Sequence, residues 1–339
     1  MPDVLPGYWQ RAIPLGADPH GEGDIAATLI RRDHDTGTTG NGAATYHAVL
    51  AVHGYTDYFF HTALADHFAD RGFAFYALDL RKCGRSHCDG QTPHFITDLA
   101  HYDTELGHAL SAIVSDAGPG RPVQVVAYGH SAGGLIVPLW LDRLRRRDPG
   151  AHARLGGLVL NSPFLDVHGP AVARLRVTAA LIAGLSRVWP KGVARPPDEG
   201  GYGVTLHRDY FGEFDYNLLW KPVGGFPITF GWLDAVRRAQ LRLHRGLDVG
   251  MPNLILRSDH SVPKSDDPTA MQCGDAVLDV SHIARWAGCI GNRTTIVPVT
   301  DAKHDVFLSL PQPREMAYRE LDLWLDGYLS TVDAASNKG

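Results

Sequence analysis

A serine, a histidine and an aspartate stand where together they could break an acyl bond. Ser131 lies in Gly129-His130-Ser131-Ala132-Gly133, a G-x-S-x-G string. An apolar β-branched run, Val125-Val126-Ala127-Tyr128, leads in, and Gly134-Leu135-Ile136-Val137 leads out with helical spacing. Strand, sharp turn and helix is the setting in which this string lifts a serine hydroxyl above the end of a sheet. Gly129 and Gly133 remove side-chain volume that so tight a turn cannot hold. At the start of the helix, the N–H of Ala132 is aimed at a developing oxyanion.

A serine nucleophile needs a base, and the base needs a carboxylate to orient it. Where the serine sits on such an elbow the chain order is serine, acid, histidine. His304, in TDAKHDVFLS, is the only histidine after the last strand-like run, TTIVPV at 294–299. His282 precedes that run on a helical stretch and is the weaker alternative. The acid should follow NLILR at 253–257, where Asp259, Asp275 and Asp279 are in reach. Asp275 is favoured because a V-L-D-V run leads from it into a helix, and because its span to His304 has room for one helix and one strand. Asp259 comes soonest after the strand and stays in contention. Asp266 and Asp267 read as solvated loop charges, and Asp305 as structural. A second oxyanion donor is expected from the loop after His53-Gly54, which makes the Tyr55 N–H the natural candidate. His53 is a rival base, and His130 is expected to pack beneath the turn.

These residues need a sheet to hold them. Strand-like runs fall at Ile25–Arg32, Tyr46–Val52, 73–80, the elbow strand, Leu158–Asn161, Asn253–Arg257 and Thr294–Val299. Helical patterns alternate with them at His61–Arg71, Asp98–Ser115, after the elbow, Ser281–Ala287 and Glu315–Leu329. Residues 1–24 read as turn-rich, and 33–45 as a flexible hairpin-like loop. The alternation predicts an α/β fold with a mostly parallel, doubly wound sheet. Residues 167–250 break the rhythm: two helical stretches, Ala171–Val188 and Leu233–Leu247, flank a Gly/Pro-rich and then an aromatic-rich passage. The expected organisation is therefore a core of 1–166 and 251–339 with a lid or cap at 167–250. Its aromatics, Phe211, Phe214, Trp220 and Trp232 among them, either form the lid's own small core or face an apolar substrate. Phe164, Trp220 and Trp232 are the candidates for substrate contact.

The totals fit this picture. The chain has 339 residues, 44% hydrophobic and 20% charged, with a formal net charge of −5. Nothing in that balance suggests a nucleic-acid partner or a polybasic membrane anchor, and RLRRRD at 143–148 reads as a solvated helix end. Four cysteines without C-x-x-C spacing suggest reduced thiols and a cytoplasmic protein. The N-terminus lacks the apolar stretch of a secretory signal, and no run is long enough to span a bilayer. No metal or organic cofactor is expected, and oligomeric state is not legible.

With these residues in view the chain resembles the α/β-hydrolases of the serine aminopeptidase S33, or hydrolase-4, group, which includes monoacylglycerol lipases and lysophospholipases. The resemblance rests on HGYTDYF at 53–59, ALDLRKCGRS at 77–86, GHSAGG at 129–134, DAVLDV at 275–280 and KHDVFLS at 303–309. It implies Ser131 as nucleophile, Asp275 as acid, His304 as base, and Tyr55 and Ala132 as oxyanion donors. The departure is the acid loop: a short glycine-containing turn ending in Asp is replaced by the longer RSDHSVPKSDDPTAMQCGD. The expected activity is hydrolysis of a carboxylic ester with an apolar acyl chain, such as a monoacylglycerol or lysophospholipid. The same triad would serve an aminopeptidase, lactonase, thioesterase or acyltransferase. A non-catalytic ligand-binding receptor of the same fold is a further alternative.

Overall fold

A computed structural model describes residues 1–33, 45–167, 176–198, 201–264 and 267–336. The loop expected at 33–45 thus lies, from 34 to 44, outside the described residues. The chain runs β1 (Tyr8–Ala17), β2 (Asp24–Arg32), β3 (Tyr46–Val52), α1 (Thr62–Asp70), β4 (Ala74–Asp79), α2 (Asp103–Asp116), β5 (Val123–His130), α3 (Gly133–Arg147), α4 (Pro149–His152) and β6 (Leu155–Asn161). It continues with α5 (Arg176–Val188), β7 (Val193–Arg195), β8 (Ile228–Thr229), α6 (Phe230–Leu243), β9 (Asn253–Ser258), α7 (Val280–Trp286), β10 (Thr294–Val299) and α8 (Pro311–Ser336).

Eight strands form one sheet in the order β1-β2-β4-β3-β5-β6-β9-β10. β1, β2 and β4 pair antiparallel, and every pair from β4 to β10 is parallel. This is the sheet of an α/β-hydrolase. Its central strands are buried on both faces, and alternate residues feed opposite cores. Leu50, Tyr76, Leu78, Val125 and Leu158 pack with Leu106, Leu110 and Ile113 of α2 and Leu135 and Leu139 of α3. Val49, Phe75, Val126, Val159 and Leu254 pack with Leu64 and Phe68 of α1 and Ala317, Leu321 and Leu325 of α8. Burying each large side chain contributes about 1.5–3 kcal/mol, so the two cores fix the strands whose ends carry the chemistry.

The N-terminus departs from expectation. Residues 8–17 are not loop but an edge strand, paired with β2 from Tyr8↔Arg32 to Ala17↔Asp24. Pro14 is tolerated because β1 has a neighbour on one side only, and the register shifts between Pro14 and Gly16, where Gly16 takes φ +80°. The segment between β6 and β9 holds α5, the small β7–β8 sheet and α6. The described part of the first helix starts at Arg176, and residues 168–175 lie outside the described residues. The second helix starts at Phe230, earlier than expected, because the Thr229 hydroxyl caps it by accepting from the Trp232 N–H at 3.3 Å. The basic end of α3 is tied down by ion pairs, Arg143 with Asp103 and Arg146 with Asp142.

The turn between β5 and α3 carries the sharpest backbone constraint. Ser131 has φ +53°, in the left-handed region. Its N–H donates to Asn161 O at 3.0 Å and its carbonyl accepts from the Phe164 N–H at 2.9 Å. A Cβ on Gly133 would lie 2.5 Å from Val52 O, so the helix can start against β3 only with glycine there. A left-handed L-residue costs about 1–2 kcal/mol, a cost glycine escapes. Ser131→Gly should therefore be about 1 kcal/mol more stable than Ser131→Ala in urea unfolding. Equal stabilities, or a more stable alanine variant, would show that the turn carries no such strain.

Candidate active site

The residues singled out in the sequence come from five loops, all at the carboxyl ends of β3, β5, β6, β9 and β10. That is the edge where open parallel sheets place their ligands. Two clefts lie elsewhere. One of about 570 Å³ is at the amino ends of β6, β9 and β10, beside Trp324 and Tyr328. Another of about 400 Å³ lies along the β1 edge beside Trp9 and Arg31.

Ser131 Oγ donates to His304 Nε2 at 2.9 Å, and His304 Nδ1 donates to Asp275 Oδ2 at 3.0 Å. The proton on Nδ1 is fixed by the carboxylate, which leaves Nε2 free to accept from the serine. Asp275 is wholly buried, and its other oxygen, Oδ1, accepts the N–H groups of Val277 and Leu278, both at 2.8 Å. An acid so held is oriented by the backbone that follows it.

Asp275 reaches this place through the unusual acid loop. Asp275 N donates to His260 O at 3.1 Å, and Val262 N donates to Asp275 O at 3.0 Å. These bonds close the loop at its base, so Asp275 returns to the strand end beside His260. Asp259, the rival, points away. Its Oδ1 meets His260 Nδ1 at 2.7 Å and accepts the Asp301 N–H at 3.1 Å on the surface. Asp279 caps α7, accepting from Ser281 N at 3.0 Å. His282, the alternative base, meets Asp279 Oδ2 at 3.6 Å. Among the described residues, Asp259, His260 and Asp301 are the one group spaced to hold a cation. They are exposed and engaged with one another, and no further feature marks them as a metal site.

The two other histidines are fully used. The Leu80 N–H donates to His53 Nε2 at 3.1 Å, so His53 Nδ1 carries its proton and donates to Gly54 O at 2.8 Å. His130 Nδ1 donates to Asn161 O at 3.1 Å, and burial lowers its basicity and keeps it neutral beside His304.

Gly54 brings the loop after β3 hard against the nucleophile: a Cβ there would lie 3.0 Å from Ser131 Cβ. Tyr55 follows it. Among the described residues neither the Tyr55 nor the Ala132 N–H donates to a protein acceptor. Ala132 stands at the N-terminus of α3, where the helix dipole favours negative charge. Two unused donors thus belong to residues next to the serine in the chain or in the adjoining loop, as an oxyanion would require.

The three aromatic candidates separate. Phe164 and Trp232 stack, ring centroids 6.5 Å apart and planes 16° apart, and Trp232 lies 4.2 Å from the Tyr55 ring. Trp232 is buried in the main core rather than standing free. Trp220 sits apart, packed on Tyr58 at 5.2 Å and under the Arg85 guanidinium. It belongs to a satellite cluster of Tyr58, Phe60, Leu206, Tyr216 and Leu308. Phe211 is exposed. The aromatic passage thus splits: Trp220 joins a small core of its own, and Trp232 joins the main core.

Three residues were not anticipated. Asn161, at the end of β6, donates to Asp305 Oδ1 at 2.7 Å and accepts the Val306 N–H at 3.2 Å, locking the histidine loop to the sheet. The Tyr202 hydroxyl accepts the Asp305 N–H at 3.0 Å, and its ring meets His304 edge-on at 5.6 Å. Lys303 is buried, donates to Thr205 O at 2.8 Å, and is pulled down to about 8 by burial. A polar Asn closing an apolar strand was the one available signal. Tyr202 and Lys303 had none, because their partners lie about 100 residues away in the chain.

All four cysteines are free, and no helix among the described residues is long and apolar enough to cross a membrane. Residues 43–208 match the family model described as serine aminopeptidase, S33. No curated protein sequence is significantly similar to the chain. Among solved structures, a soluble variant of monoglyceride lipase from Saccharomyces cerevisiae, bound to a substrate analog, is 17% identical. It superposes with a TM-score of 0.63 over 97% of this chain and 99% of that one. The monoacylglycerol lipase of Paleococcus ferrophilus is 18% identical, with a TM-score of 0.60 over 95% and 99%. A lipase in its open form is 17% identical, with a TM-score of 0.57 over 94% and 99%. Identities this low speak for the fold. Sheet order, elbow and family match together lead to one conclusion: the chain has the α/β-hydrolase fold, and its residues 43–208 match the model of the serine aminopeptidase S33 family.

Proposed function

We propose that this chain is a serine hydrolase that cleaves carboxylic esters with an apolar acyl group, of the monoacylglycerol or lysophospholipid kind, through an acyl-enzyme. The observation that carries the reading is the unbroken chain of hydrogen bonds from Ser131 Oγ through His304 to Asp275, at 2.9 and 3.0 Å. Ser131 attacks the carbonyl carbon while His304 Nε2 takes its proton. Asp275 holds the imidazole and stabilises the imidazolium without itself becoming protonated. The N–H groups of Tyr55 and Ala132 receive the oxyanion, His304 returns the proton to the leaving alcohol, and a water repeats the cycle.

The apolar acyl group is supported by the rings of Phe164 and Trp232 beside the nucleophile. The segment 167–250 acts in this reading as a lid. Its helix α5 exposes Val177, Leu181 and Val188 along one stripe, continued by Trp189, a surface suited to lipid-like material. The names of the structural relatives, two of them monoacylglycerol lipases, agree with this substrate class. An amine-reading peptidase is disfavoured. The acids that could hold a free amine are each engaged by a cation: Asp198 by Lys264, Glu213 by Arg314, and Asp215 by Arg208. Glu199, the fourth candidate, lies outside the described residues.

On p-nitrophenyl butyrate, Ser131→Ala should lose at least ~10³-fold in kcat. A wild type inert to esters, amides and thioesters alike would instead favour the binding protein. Asp275→Asn should lower kcat by about 10⁴-fold while Asp259→Asn stays within about threefold, as the tautomer-holding role requires; the reverse pattern would transfer the acid's role to Asp259. Across p-nitrophenyl esters from acetate to octanoate, kcat/KM should rise by about two- to fourfold per methylene, since each buried CH₂ is worth up to about 0.8 kcal/mol. A flat or falling series would remove the apolar acyl site.

A further inference from the structure

The loop that carries Tyr55 is fastened to the inserted segment one residue at a time. The Tyr55 hydroxyl donates to Pro227 O at 2.6 Å, and the Thr56 hydroxyl accepts the Phe226 N–H at 2.9 Å. Asp57 Oδ1 accepts from Lys221 Nζ at 2.6 Å, and the Tyr58 hydroxyl accepts the Asn217 N–H at 2.7 Å. Thr56 is itself left-handed, with φ +52°, a conformation that persists only where its surroundings hold it. Three of these four ties use backbone on the far side. Only Asp57–Lys221 joins two side chains, and so it alone can be substituted at both ends.

That pair is not a surface ornament. Both side chains are about nine-tenths buried, 11% and 12% exposed. Lys221 Nζ also lies over the rings of Phe60 at 5.4 Å and Tyr216 at 5.8 Å. Burial would raise the Asp57 carboxyl, but the Lys221 ammonium outweighs it and holds the group down to about 2. Burying two charges is costly and rarely the best route to stability alone. Here the pair ties the inserted segment to the loop that carries one of the two oxyanion donors, and its Asp57 end is two residues from the Tyr55 N–H.

Resting on the hydrolytic reading above, we propose that Asp57 and Lys221 are positioning residues. Their ion pair fixes the inserted segment against the 54–58 loop so that the Tyr55 N–H is registered on Ser131, and the oxyanion hole is complete only while that segment is docked. Misplacing one donor by about 1 Å acts on the transition state far more than on ground-state binding, so the signature is a fall in kcat with KM little changed.

The deciding variant is the double substitution Asp57→Asn/Lys221→Met, which leaves no orphan charge. With p-nitrophenyl butyrate we expect kcat to fall by about 10- to 100-fold with KM within about threefold of wild type. Lys221→Met alone should lose at least as much, and Lys221→Arg, which keeps the cation, should recover most of the rate. A double variant with wild-type kcat, or one whose whole loss is in KM, overturns the proposal. Should the double variant not fold, the contrast between Lys221→Met and Lys221→Arg decides, and equal kcat for the two overturns it. If wild type hydrolyses no ester, the hydrolytic reading has failed on its own account. Amide hydrogen exchange at 54–58 then still judges the clamp: faster exchange in the double variant supports it, and unchanged exchange refutes it.

Discussion

The left-handed turn at Ser131 is the constraint from which the site's architecture follows. A φ of +53° costs a non-glycine residue about 1–2 kcal/mol, and it survives because its surroundings leave no alternative. β5 arrives at full burial, the Ser131 N–H is spent on Asn161 O, and α3 must start within contact of β3. The turn aims the hydroxyl out of the sheet and points the free end of α3 toward the same place. A stability cost is thus converted into the presentation of one hydroxyl and one backbone donor.

Around that atom the structure keeps polar groups paired and in defined states. His53 and His130 are each tied to backbone, so they do not compete with His304 for the serine proton. Asp275 is buried and bound by two backbone N–H groups, so its remaining oxygen can serve the imidazole alone. Asp305, next to the base, is occupied by Asn161 and by the Phe307 N–H at 3.0 Å, which holds the histidine loop rather than entering the chemistry. The inserted segment reaches into this arrangement from both sides, through Tyr202 and Lys303 to the histidine loop and through Lys221 to the loop that carries Tyr55. One piece of structure therefore contacts both loops of the candidate site.

What was legible in the sequence was what local rules control. The elbow declares itself through glycine spacing and flanking periodicity, and the order of Ser131, Asp275 and His304 follows from the order of strand ends. The core strands were readable because burial on both faces demands apolar runs. What was not legible depended on distant partners. β1 looked like loop because Pro14 and Gly16 mask a strand that only an edge position permits. Asp275 and Asp259 could not be fully separated by sequence, since what separates them is a pair of hydrogen bonds closing the loop at His260 and Val262. Trp220 and Trp232 carry the same side chain on the same segment, yet one joins a satellite cluster and the other the main core.

Trapping the acyl-enzyme's surrogate tests the central claim most directly. Wild-type protein treated with a fluorophosphonate, then analysed by intact mass and peptide mapping, should carry a single phosphonyl group on Ser131. The adduct should be absent in Ser131→Ala and form far more slowly in His304→Ala. An unmodified wild type, or an adduct on any other residue, would contradict the assignment of Ser131 as the nucleophile of a serine hydrolase.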